Sequence, residues 1–278
     1  MVQLFHTASE NCSRIVAKEY STSFFSAIRF LHKDLRTPIF NIYGFVRFAD
    51  EIVDTFHEYD KPFLLAQFEK DTWDAIQRGI SLNPILNSFQ RTINEYAIGP
   101  GLINSFFRSM ELDLSKRNYS PEEYKDYVYG SAEVVGLMCL KIFCKGKKEL
   151  CEKLETSARA LGAAFQKVNF LRDLKSDFSG LSRIYFPGCD FSHFTQGDKQ
   201  QIEEDIHNDF KEAYKGILQL PLKARFGVYV AYKYYLTLFK KIKRLKPANV
   251  LEERIRIPNY RKAMIIFGAG VRNQLRLI

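Results

Sequence analysis

The sequence predicts an all-α protein. Three observations carry this: apolar residues recur at helical spacing along most of the chain, prolines fall where helices would break or begin, and no segment alternates apolar with polar as a strand would. Prolines 38, 62, 84, 121, 221, 247 and 258 all read as breaks or first-turn residues. Helices are expected near 9–31, 37–57, 61–79, 84–97 and 101–116. Ser120-Pro121-Glu122-Glu123 then opens another, with serine as cap and glutamate three residues on. Its apolar positions run from Tyr127 and Val128 through Ala132, Val135 and Cys139 toward Phe143. Further helices are expected near 148–177, 199–219, 222–245 and 259–276. The stretch from Phe178 to Phe194, rich in Ser, Gly and Pro, reads as a loop able to close over a site. No linker divides the chain, so residues 1–278 are expected to form one helical domain around a pocket.

The chain is long enough, at 278 residues, to bury a sizeable core. Its 24 Phe and 15 Tyr against one Trp suggest a greasy interior surface as well as ordinary packing. The net charge of +9 favours an anionic partner: diphosphate, a membrane surface or nucleic acid. The five cysteines are odd in number and lack CxxC spacing, which fits reduced thiols in a cytoplasmic protein. The histidines are scattered, so a zinc site is not expected. Met1 to Glu10 lacks the charged start and apolar core of a secretion signal. Tyr96 to Phe107 is free of charge for only twelve residues and is broken by Gly-Pro-Gly, too short to span a bilayer.

Two aspartate pairs share one internal spacing: Asp50 with Asp54, and Asp173 with Asp177. Side chains at i and i+4 lie on one helical face, about 6 Å apart along the axis. Tyr43 and Arg47 extend the first stripe, Gln166 and Asn169 the second, at spacings of three and four. A single polar stripe is as readily a solvated helix face. Two stripes, each bordered by Phe, Val and Leu, look like carboxylate jaws facing across a cavity, because buried carboxylates need partners. Oxygen ligands suit hard cations, and Mg²⁺ is held by a few carboxylates plus substrate phosphates. The chemistry indicated is therefore on a phosphorylated, most simply diphosphorylated, substrate.

These motifs, with Ser21-Thr-Ser23-Phe24, Tyr127-Val-Tyr129-Gly130, Val135-Gly136 and Arg183-Ile-Tyr185-Phe186-Pro187, follow one another in a familiar order. The chain resembles the squalene/phytoene synthase family of head-to-head prenyl transferases over nearly its whole length. The departures are Tyr20 where many relatives have histidine, Glu51 in place of a second aspartate, Ser176 in place of an acid, and the sparsely charged Ser179 to Ser182. The resemblance implies the isoprenoid-synthase helical fold, dependence on Mg²⁺ (Mn²⁺ as substitute) and condensation of two prenyl diphosphates. It implies that Asp50, Asp54, Asp173 and Asp177, with Asn169, hold the ions. Tyr20, Ser21, Ser23, Tyr43, Arg47, Gln166 and Arg183 are then expected around the diphosphates. Tyr129 and Phe24 are candidates to stabilise the allylic cation. Leaving diphosphate needs nearby positive charge, which is why arginine and metal belong here.

Ile28 lies seven residues from Ser21 and Phe40 seven from Arg47, each about 10 Å from a head-group residue on the same helical face. Both are expected to line the prenyl tunnel. A medium side chain at 28 favours the twenty-carbon substrate, hence condensation of two geranylgeranyl diphosphates to phytoene through a cyclopropylcarbinyl diphosphate. The alternatives are a dehydrosqualene or squalene synthase acting on farnesyl diphosphate, with NADPH needed only for squalene, and a non-catalytic scaffold of the same fold. The basic, aromatic character of the chain suggests peripheral contact with anionic membrane from the cytoplasmic side, and the amphipathic stretch Tyr229 to Arg244 suits packing against the core, docking on anionic lipid or help in binding diphosphate, rather than binding nucleic acid.

Overall fold

A computed structural model describes residues 1–180, 183–189, 193–251, 255–275 and 277–278; the side chains of 176–180 lie outside the described residues. Among the described residues the chain is all-α, and the one strand-like pairing is an isolated bridge between Asn118 and Ile184. The helices are α1 (Val2–Tyr20), α2 (Thr22–Arg29), α3 (Lys33–Asp54), α4 (Lys61–Arg78), α5 (Pro84–Glu95), α6 (Pro100–Ser115) and α7 (Pro121–Val128). A π-helical turn (Tyr129–Glu133) leads into α8 (Val134–Phe143), followed by α9 (Lys148–Gly180), α10 (Gln196–Ile217), α11 (Leu222–Lys243), α12 (Pro247–Val250) and α13 (Asn259–Gln274).

The ends of these helices follow local chemistry. Pro84, Pro100, Pro121 and Pro247 each open a helix, where the missing N–H is no loss. Ser120 and Glu123 form the reciprocal cap anticipated for α7. The expected helix over 9–31 is two helices, broken at Ser21. Its backbone is extended, and its hydroxyl accepts the Phe24 N–H at 3.1 Å. Pro38 is not a break: α3 begins five residues earlier, at Lys33, and carries Pro38 inside it. Two contacts secure that added turn: the His32 N–H donates to the Lys223 carbonyl, and Arg36 Nε to the Leu31 carbonyl, both at 2.9 Å. The end of α9 enters the segment expected to be a loop from Phe178 and stops at Gly180.

Phenylalanine chiefly fills the core. Phe45 stacks on Phe89 with centroids 3.7 Å apart, and Phe68, Phe106 and Phe107 close around the pair. At the centre, α8 and α9 cross at glycines. A Cβ on Gly136 would stand 2.7 Å from the Ala158 carbonyl oxygen, and one on Gly162 2.5 Å from that of Ala132. Only a residue without a side chain admits backbones so close. That contact sets the wall of a cavity of about 860 Å³ enclosed by α2, α3, α8, α9, α10 and α11.

Candidate active site

Both predicted stripes reach this cavity. From α3 come Tyr43, Arg47, Asp50 and Asp54, and from α9 come Gln166, Asn169 and Asp173. The α1–α2 junction adds Tyr20, Ser21 and Phe24, and Ile28 lines the wall below them. The guanidinium of Arg47 lies 4.5 Å from the Tyr20 ring centroid and pairs with Glu51 one turn along α3. Arg172 clasps the neighbouring Asp173, its Nε 3.1 Å from both carboxylate oxygens. Asp177 lies outside the described residues.

The rim is crowded with negative charge. Burial, then the carboxylates of Asp54 and Asp113, pushes the Asp50 carboxyl up to about 7, with Arg47 opposing. Asp113, on α6, is pushed up to about 6, chiefly by burial, against the pull of Arg183 and the Tyr127 hydroxyl. Burial also lifts the Tyr43 phenol to about 12, so it stays protonated at neutral pH. Three buried polar atoms on the cavity wall have no hydrogen-bond partner among the described residues: Asn169 Oδ1, Arg47 Nε and Ser131 Oγ. Among the described residues no three acidic, histidine or cysteine side chains converge on a single point. The acids stand instead on two walls. An orphaned amide oxygen and carboxylates that resist joint ionisation form a donor set that fits a hard cation completed by phosphate oxygens.

Four expected site residues are placed elsewhere. Arg183 is buried behind Asp54, not on the cavity wall. Its Nη1 donates to Asp54 Oδ1 at 2.9 Å, and its Nη2 to the Asp113 carbonyl at 2.7 Å. The bridge from Asn118 to Ile184 pins the adjoining strand segment. Tyr129 is also off the wall, because the cavity face of this region runs through Tyr127, Ser131, Val135 and Cys139 at intervals of four. A residue two along points away, and the Tyr129 ring meets the Arg159 guanidinium at 5.1 Å. Ser23 is also off the wall, to which this segment contributes Ser21, Phe24, Ala27 and Ile28. Phe40 is buried but turned toward Phe25, centroids 5.5 Å apart.

Asp113 was missed. It accepts from the Tyr127 hydroxyl at 2.6 Å and from Tyr119 and Tyr185 at 3.3 Å, and so fixes the floor beneath Asp54 and Arg183. A signal existed: Phe106, Met110 and Asp113 occupy one apolar face at i, i+4 and i+7, and an acid in that register requires partners. Tyr235 also lines the cavity, stacked on Phe165 at 3.9 Å. The other aromatics of its stretch, among them Tyr229, Tyr232, Tyr234 and Phe239, are core residues rather than a lipid surface.

Residues 17–261 match the family model described as squalene/phytoene synthase. The chain belongs to the squalene/phytoene synthase family. Members of that family are prenyltransferases. It is 27% identical to phytoene synthase 1, chloroplastic, of Solanum lycopersicum over 258 residues, 86% of this chain and 61% of the relative. It is 30% identical to presqualene diphosphate synthase of Rhodopseudomonas palustris, over 60% of this chain and 58% of the relative. The chain thus spans about three fifths of the length of these relatives. A dehydrosqualene synthase crystal structure superposes with a TM-score of 0.80 at 19% identity, covering 97% of this chain and 98% of that one. Squalene synthase HpnC from Alicyclobacillus acidocaldarius gives 0.74 at 21% identity, over 86% and 94%. These likenesses establish the isoprenoid-synthase-type helical fold.

Proposed function

We propose that the protein is a magnesium-dependent prenyltransferase that joins two prenyl diphosphates head to head, with geranylgeranyl diphosphate as substrate and phytoene as product. The observation that carries this is one cavity with an acidic, arginine-bearing rim and a long apolar interior. Asp50, Asp54, Asp173 and Asn169 would hold Mg²⁺, with Asp177 implied by the motif. Bound there, the metal neutralises diphosphate and assists its departure. Arg47 and Arg172 supply fixed positive charge on the same rim, where negative charge grows as the allylic C–O bond breaks. Arg183 and Asp113 hold Asp54 in place from behind. Tyr43, kept protonated by burial, can donate to phosphate oxygen. Phe24, Phe165 and Tyr235 wall the region below and present ring faces to a carbocation while keeping water out.

The depth of the cavity admits the longer substrate. Its lining along α9 runs from Asp173 to Leu154, nineteen residues and about 28 Å. An extended chain advances about 1.2 Å per bond, so the sixteen main-chain carbons of a twenty-carbon prenyl group need about 18 Å. Incubation with Mg²⁺ and either the fifteen- or the twenty-carbon diphosphate, with and without NADPH, tests the reading by product analysis. Phytoene from the twenty-carbon substrate, without NADPH, is expected. Turnover of the fifteen-carbon substrate alone would reassign it as a dehydrosqualene or squalene synthase, and no condensed product from either, diphosphate or hydrocarbon, would leave a scaffold.

A further inference from the structure

Helix α13 presents an apolar face that none of the described residues covers. Tyr260, Met264, Phe267, Val271 and Leu275 are 63, 67, 76, 41 and 63% exposed. At 100° per residue they fall within an arc of about 80°. Ala269, on the opposite side, is 2% exposed, on the helix that packs against α11. The stripe is therefore the outer face of a helix anchored by its inner one. Singly exposed apolar residues are ordinary, but five large ones in a row on a single helix mark an interaction surface.

Charge identifies the occupant. Residues 255–278 include five basic residues and no acidic one. Arg261 and Arg272 lie along one flank of the stripe. The Lys262 ammonium donates to Thr22 Oγ1 at 2.7 Å, which places α13 beside the α1–α2 junction where Tyr20 and Ser21 enter the cavity wall. The face of α2 that holds Thr22 also carries Arg29 seven residues on, and Arg29 joins Arg14, Lys18, Ile15 and Phe25 around a shallow groove. A second copy of the chain would bring these basic flanks against one another in a self-paired interface, where like charges repel. An anionic bilayer satisfies both the stripe and its flanks.

We propose that α13 docks the protein on anionic lipid, its apolar stripe seated at the headgroup boundary with the entrance side of the cavity facing the membrane. The orientation rests in part on the proposed function, since a hydrocarbon product has no favourable path through water. The docking surface itself rests on exposure and charge.

The test is flotation with vesicles of phosphatidylcholine and phosphatidylglycerol, against pure phosphatidylcholine, at low and high salt. The full chain should float with the anionic vesicles and detach as salt rises. The double variant Met264→Glu/Phe267→Glu should lose about tenfold or more of its partitioning, with an unchanged circular dichroism spectrum and unchanged turnover in detergent. Flotation of the double variant equal to that of the parent would overturn the proposal. So would a parent that stays unbound at low salt, or a parent dimer, detected by light scattering, that the variant abolishes. Vesicle binding that behaves as expected in a protein inactive on every prenyl diphosphate would overturn only the proposed function.

Discussion

Replacing Asp50 with asparagine should make the metal-free protein more stable while abolishing turnover. In the fold the Asp50 carboxyl titrates at about 7, against an ordinary value of 3.8, because burial and the carboxylates of Asp54 and Asp113 disfavour its charge. Between those two values the folded protein holds a proton that the unfolded chain has released, so stability falls as pH rises through this window and levels off above it. The full shift corresponds to about 4 kcal/mol. Asp50 lines a cavity that solvent enters, so a gap of about 2–4 kcal/mol between variant and parent is expected at about pH 8. The gap should close as pH approaches about 4, where both side chains are neutral. Urea unfolding in EDTA across this range reads it directly. An asparagine variant less stable than the parent at the upper end, or a gap that ignores pH, would refute the argument that these carboxylates are crowded without a cation. Restoring Mg²⁺ should stabilise the parent and not the variant.

The remaining expectations concern turnover and the cavity wall. Asp173→Asn should lower the rate about 10²–10³-fold, and because Arg172 already clasps this carboxylate the variant should lose about 1 kcal/mol of metal-free stability rather than gain any; a normal rate would remove Asp173 from the mechanism. Excess EDTA should abolish product formation and Mg²⁺ or Mn²⁺ restore it, whereas full activity in chelator would end the metal assignment. Ile28→Phe fills the wall below Ser21 and should shift a competition assay from the twenty-carbon toward the fifteen-carbon substrate, an unchanged ratio placing Ile28 outside the prenyl path. Gly162→Ala would set a methyl 2.5 Å from the Ala132 carbonyl oxygen and should lower stability by about 1–3 kcal/mol in a thermal melt; an unchanged melting temperature would show that the π-helical turn and α9 yield there.

The sequence showed what is periodic and hid what depends on contacts between distant segments. The two aspartate stripes were legible because helical spacing alone puts Tyr43, Arg47, Asp50 and Asp54 on one face, and Asn169 with Asp173 on another. That the two faces share a cavity follows from how α8 packs against both α3 and α9, which spacing within one helix does not contain. Arg183 makes the difference plain. Its motif marked it as a residue of the site, and a basic residue near carboxylates reads naturally as a phosphate ligand. Yet its partners are Asp54, 129 residues away, and the Asp113 carbonyl, 70 away. Those contacts make it a support for the carboxylate of Asp54. Tyr129 fails for a local reason: it stands two residues from Tyr127 and from Ser131, so it faces away from the cavity whichever of them is taken as reference. Of the roles open to the amphipathic stretch of α11, burial selects core packing for Tyr229, Tyr232 and Phe239. The exposed stripe of α13 is also apolar, beside basic residues, with a comparable helical pattern. Burial against neighbouring helices distinguishes the two, and a periodicity reports that a helix has an apolar face without reporting what lies against it.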